Sequence, residues 1–313
     1  MVGKSVNQLI THWLSFVKKR MLFLFEKAKN NLLKSQIFSL KRQRLEFFLD
    51  LFKRIFYYTK IWFMMSKNSF LTMLNQKLVF FIFLLGKILR FIFFLGFLSF
   101  IIKGSKVLAG YEINQVIFFY VTFVLIDTLA QFLFREVYRF RPLVVSGYFD
   151  LILVKPINSL FRILMGGMDI IDLITIPPLI FVVYYVGQML NPNSLLVVYY
   201  ILLVVSGLII AAAFHIAVLS LGIITLEIDH TIMIYRDLTS MGRFPVDIYK
   251  QPLRGILTYL IPVGIMVTFP AKGLMGLVSS RGVLLSLILA VSVLTLSLMF
   301  WNYALKKYTS ASS

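Results

Sequence analysis

Three carboxylates and a histidine stand inside or beside apolar stretches of this 313-residue chain: Asp127, Asp169, Asp172 and His215. A charged group at membrane depth costs about 2.5–3.5 kcal/mol on insertion scales. Such groups face a protein interior, where they line a path or pair with a partner. Both readings are open here. The carboxylates pair with Lys87, Arg90 or backbone groups and hold helices together, or they line a pathway and relay protons. Asp169 and Asp172 are three apart, so on a helix they share a face; they also lie near the end of their run, close to an interface. His215 reads as a packing histidine or as a pathway residue.

Other chemistry lacks its residues. His12, His215 and His230 are far apart, with no HxxxH or HExxH spacing, and cysteine is absent. No metal site or disulfide is expected. No Gly-x-Ser-x-Gly nucleophile elbow occurs. Gly3-Lys4-Ser5 matches the tail of a phosphate-binding loop but has neither the leading glycine nor a preceding strand. The expectation is a chain that is not an enzyme and binds no cofactor of its own.

The elements that position these residues are set by hydropathy. The chain is 59% hydrophobic and 14% charged, against about 25% charged in a soluble domain. Several uncharged runs reach the roughly 20 residues that cross a hydrocarbon core as a helix. They are apolar all round rather than alternating, which excludes barrel strands. The fold class expected is all-α: a polytopic membrane protein with about six transmembrane helices and an amphipathic, basic N-terminal region. Spans are read at about 78–102, 115–134, 165–188, 195–224 and 282–303, with one crossing within 225–275. Pro177–Pro178 predicts a kink in the third. Gly207 and Ala211 in the fourth permit close helix approach. Pro262, Gly264 and Pro270 interrupt residues 255–275, predicting a broken or re-entrant segment, which survives at membrane depth only when packed in protein or lining a cavity. The fifth crossing is either a short polar helix near 226–243 followed by that hairpin, or 255–275 alone.

The formal charge of +19 raises two partners, nucleic acid and an anionic membrane surface. Its location decides. Of 32 Lys and Arg residues, 13 lie within Met1–Lys60, and most others flank the apolar runs. That is the pattern of cytoplasmic segments, so membrane lipids are expected as a partner and nucleic acid is not. Residues 1–50 read as a basic cytoplasmic or interfacial extension, 51–77 as an interfacial amphipathic helix, 78–305 as the transmembrane domain and 306–313 as a tail. Basic segments at the N-terminus, 135–164 and Lys306–Lys307 predict six crossings with both ends cytoplasmic, in a bacterial-type inner membrane. Leu9–Val17 is weakly apolar and precedes its charges, so no cleavable signal is expected.

Two stretches carry a resemblance. Residues 242–276 read GRFPVDIYKQPLRGILTYLIPVGIMVTFPAKGLMG, and residues 147–158 read GYFDLILVKPIN. Together, in this order, they resemble the six-helix group of ABC-2 type transporter permeases, over about residues 55–307. Residues 1–50 depart from it as an extension. The resemblance implies an exporter permease that uses a separate cytoplasmic ABC ATPase, which consumes the ATP, and a second copy or a paralogous permease. It implies that the loop after the second helix contacts the ATPase, with Gly147, Asp150, Lys155 and Pro156 at the matching positions, and that 251–275 is re-entrant.

Two other functions compete. One is an ion-gradient transporter or channel, although no internal repeat is apparent. The other is a non-transporting membrane scaffold acting through its basic N-terminus. The substrate is open: apolar spans suit lipids, hydrophobic drugs or organic cations alike.

Overall fold

The computed structural model describes Lys19, Arg20, Glu46 and residues 48–73, 75–105, 109–225 and 228–309; the side chains of 101–105 and 228 are excepted. The expectations for Leu9–Val17 and Gly3-Lys4-Ser5 lie outside the described residues. Two units form, Met1–Ile61 and Trp62–Ser313. In the first, residues 48–61 are helical. Phe52, Ile55 and Phe56 are exposed there at the i, i+3, i+4 spacing of one apolar face.

The second unit is all-α, with no strand among the described residues. Residues 62–73 form α1. Five helices are long and apolar enough to span a bilayer. They are α2 (Lys77–Ser105), α3 (Ile113–Phe134), α7 (Ile170–Gln188), α8 (Ser194–Thr225) and α12 (Ser280–Lys307). Between α3 and α7 lie a 3-10 turn, Arg135–Arg139, and three short helices: α4 (Phe140–Val145), α5 (Tyr148–Leu153) and α6 (Ser159–Leu164). After α8 come α9 (Ile228–Ser240) and a bent pair, α10 (Leu253–Leu260) and α11 (Gly264–Leu274), which meet at 76°. Inner faces bury Phe118, Ile126, Leu203, Ile210 and Leu219. Outer faces leave Phe81, Phe93 and Phe100 at 64%, 71% and 79% exposure. Apolar exposure on that scale marks a surface whose solvent is lipid. The protein is therefore a multi-pass membrane protein.

Side-chain contacts fix which segment crosses between α8 and α12. Arg141 Nη1 lies 3.0 Å from Asp229 Oδ2, so α9 starts beside α4, at the elbow end of the bundle. At the opposite end, Tyr111 in the α2–α3 loop donates to Asp247 Oδ2 at 2.9 Å. The chain from 228 to 247 thus runs the length of the bundle as α9 followed by a less regular stretch. Asp247 also pairs with Arg254 at the start of α10 and with Lys272 near the end of α11. The bent pair consequently enters and leaves at one end, the geometry of a re-entrant hairpin, while the polar 228–246 segment runs between the two ends of the bundle. The hairpin tip packs on the middle of α8. A Cβ at Gly207 would sit 2.3 Å from the Met266 carbonyl oxygen, so only glycine fits there. Gly207 is 13 residues into α8, which puts the tip about 20 Å deep at 1.5 Å per residue.

One local expectation changes. The third span starts at Ile170 rather than near 165, because Asp169 is extended and its side chain caps the helix, accepting from the Ile171 amide at 2.9 Å. Asp169 and Asp172 therefore do not share a helical face. The helix also runs uninterrupted through Pro177 and Pro178.

Candidate functional site

Among the described residues of the second unit, ionisable groups gather at an elbow after α3, in a cavity between helices, and in a clamp around Asp247.

The elbow is built by a tight reversal. Val145 ends α4, and Gly147 takes a left-handed conformation (φ 75°), which costs a glycine little and another residue more. The chain then enters α5, whose Phe149 and Ile152 are buried. The Phe149 ring packs edge-on against Phe140 and Tyr308, 5.2 and 5.0 Å away, so the end of α12 lies beside the elbow. Asp150 sits in the first turn of α5, where a carboxylate suits the helix dipole. Asn158 caps α6 through its side chain, accepting from the Phe161 amide at 2.9 Å. Buried Glu136 receives Arg139 at 3.4 Å and Arg162 at 3.3 Å, tying the end of α3 to α6. The outer face is apolar and open: Val145, Tyr148, Leu151 and Val154 are 62%, 61%, 54% and 79% exposed, and Lys155 and Pro156 are exposed beside them.

The cavity holds about 470 Å³ and is bounded by α2, α3, α7 and α9. Asp127 lines it and accepts from Gln131 Nε2 at 2.8 Å. Lys87 also lines it and pairs with Asp172, whose side chain is 4% exposed. Asp169 lies 3.3 Å from Arg135 Nε. Two of the three carboxylates are thus ion-paired between helices, and the third is hydrogen-bonded within α3. His215 is not on the cavity. It is buried among Phe134, Tyr138 and Tyr235, with Nδ1 2.7 Å from the Ala211 carbonyl oxygen and Nε2 without a partner.

The clamp joins distant segments. Asp247 takes a proton donor from Tyr111 at 2.9 Å, from Lys272 at 2.6 Å and from Arg254. Burial opposes ionisation, but Lys272, Tyr111 and Arg254 together hold the carboxyl below its usual range. Burial and the neighbouring carboxylate push the Tyr111 hydroxyl up. Gly264, next to the hairpin bend, packs on Val246, and Pro270 is buried where the wider turns Gly264–Thr268 pass into the regular turns Phe269–Leu274. Pro262 lies in the bend itself, where the helix is already broken.

A sequence model described as ABC-2 family transporter protein matches residues 84–312. The chain belongs to the ABC-2 transporter family. It is a membrane component of ABC-type transport. No curated protein and no solved structure matches it.

In this ABC-2 protein several structural residues escape sequence reasoning. Glu136 and Asp247 are each the meeting point of two cations. Their partners are up to 26 and 25 residues away, beyond any helical period. A signal existed for Asp247: it is the one carboxylate in a stretch that holds Arg243, Lys250, Arg254 and Lys272.

Proposed function

We propose that this chain is the permease subunit of an ATP-driven exporter, moved by a separate ATPase that docks on the elbow. The observation that carries the reading is the open apolar face of Tyr148, Leu151 and Val154 with Lys155 beside it. The same short helix buries Phe149 and Ile152 inward, so force on its outer face is transmitted to α4 and the end of α12. Gly147, Asp150, Lys155 and Pro156 shape that contact. In this reading the elbow, the N-terminus and the tail after Lys307 are cytoplasmic, in a bacterial-type inner membrane. The chain binds no nucleotide, and ATP is the partner's.

A second permease, a copy or a paralogue, completes the pathway. What supports this is the polar crossing. Asp229, His230, Arg236 and Asp237 are exposed on α9, and a lipid-facing position for that set is prohibitive. A facing permease or an aqueous path between the two covers it.

The test is affinity purification from native membranes. The chain should retain an ATPase carrying a phosphate-binding loop, and Leu151→Asp should release it while the permease stays monodisperse. Purification without any ATPase, with transport continuing in vesicles free of ATP, would sink the reading.

A further inference from the structure

Among the described residues, the cavity between α2, α3, α7 and α9 carries an excess of positive charge. Four cations line it, Lys87, Arg90, Arg236 and Arg243, against one carboxylate, Asp127. Lys87 is matched by Asp172. Arg90, Arg236 and Arg243 form no ion pair with any described carboxylate. Asp127 can neutralise one guanidinium, and two then remain. Arg90 stands 13 residues into α2, about 20 Å along a helix of 29 residues. An unmatched guanidinium at that depth is expensive in lipid, so its place is toward the cavity and whatever fills it.

The walls are of the opposite kind. Phe94 stacks on Tyr120 at 4.4 Å, and Phe91 on the same ring at 5.8 Å. Tyr120 lies within electrostatic reach of both Arg90 and Arg243, so the stacked rings and two of the guanidinium groups share one region. Leu179 and Val182 of α7 extend the apolar wall. The volume of about 470 Å³ falls in the range of roughly 300–1,000 Å³ that holds a small molecule.

We propose that this cavity binds an amphipathic anion: a carboxylate, sulfate or phosphate head between Arg90, Arg236 and Arg243, with an apolar or aromatic body against Phe91, Phe94 and Tyr120. Guanidinium forks match such heads in bidentate geometry. The excess positive charge disfavours organic cations. That this ligand is the exported cargo rests on the permease reading; that the site binds it does not.

The experiment uses the full chain in phosphatidylcholine nanodiscs and two fluorescent probes, 11-(dansylamino)undecanoic acid and its methyl ester. The acid should bind at least 10-fold more tightly than the ester. The triple substitution Arg90→Gln, Arg236→Gln and Arg243→Gln should remove that preference. Asp127→Asn should tighten acid binding about 3-fold, a gain that misfolding cannot mimic. Native mass spectrometry with matched phosphatidylglycerol and phosphatidylcholine separates the sources. Selective retention of phosphatidylglycerol, lost in the triple variant, makes a lipid head the ligand; acid binding without lipid selectivity makes it a free organic anion. Equal binding of acid and ester together with no lipid selectivity overturns the proposal. ATPase release by Leu151→Asp bears on the permease reading alone.

Discussion

Replacing Asp172 with Asn isolates a charge that the fold now neutralises. Lys87 stands 10 residues into α2, about 15 Å along it, and its side chain is 17% exposed against 4% for Asp172. Asn keeps the shape but removes the negative charge, leaving an ammonium without its partner. Breaking a buried pair from one side costs about 3–5 kcal/mol. A lone Lys inside a span costs up to about 2.5–3.5 kcal/mol by insertion. The lower figure governs, because the ammonium still lines the cavity and can be hydrated there. A cost of about 3 kcal/mol corresponds to about 6 °C in Tm, at the 2 °C per kcal/mol of the larger domains. The assay is thermal unfolding in nanodiscs at neutral pH, followed by intrinsic fluorescence, for Asp172→Asn, Lys87→Met, Asp172→Leu and the Lys87→Met/Asp172→Leu pair. The double variant should recover most of the loss, since apolar replacement of a whole buried pair is near neutral. A wild-type Tm in Asp172→Asn, or simple additivity in the double variant, would refute the pairing argument.

Three further outcomes are expected. Asp247→Asn removes the group that clamps both ends of the hairpin and should lower Tm at pH 7. Because the folded carboxyl is held below its usual value, the wild-type advantage should be complete above about pH 5, given an unfolded value near 3.9. It should shrink as pH falls through the folded value, which a pH series on both proteins reads directly. Gly207→Ala puts a Cβ against the Met266 carbonyl oxygen and should cost about 1–3 kcal/mol as an overpacked contact, read as a lower unfolding midpoint; an unchanged midpoint would mean the hairpin tip lies elsewhere. Val154→Asp, at a position 79% exposed, should change Tm by no more than about 0.5 kcal/mol equivalent while abolishing ATPase retention in pull-downs.

The sequence shows the spans because their signal is local. Uncharged runs around Phe118, Ile180 and Leu203 need only length and hydropathy to be read as helices. The start of α7 was misplaced because Asp169 lies next to an apolar run, and hydropathy does not separate a capping residue from a helical one. The re-entrant segment was legible from Pro262, Gly264 and Pro270, since prolines and a glycine break a helix wherever they stand. The polar helix near 226–243 that precedes it was one of two readings, and hydropathy could not choose between them, because α9 carries Asp229, Arg236 and Asp237 and has the composition of a loop. Its course is set by two contacts, to Arg141 and Tyr111, that are 88 and 136 residues distant. The cavity was illegible for the same reason. Arg90, Arg236 and Arg243 come to line one cavity only when α2 and the 228–246 segment fold around it.

The most direct measurement exploits the open position of Val154. A photo-crosslinking amino acid placed there, in native membranes, should trap a single ATPase subunit, and the same group at Asn191, on the far end of the bundle, should not. Crosslinks from Val154 only to lipid, or an ATPase trapped from Asn191 instead, would contradict the account.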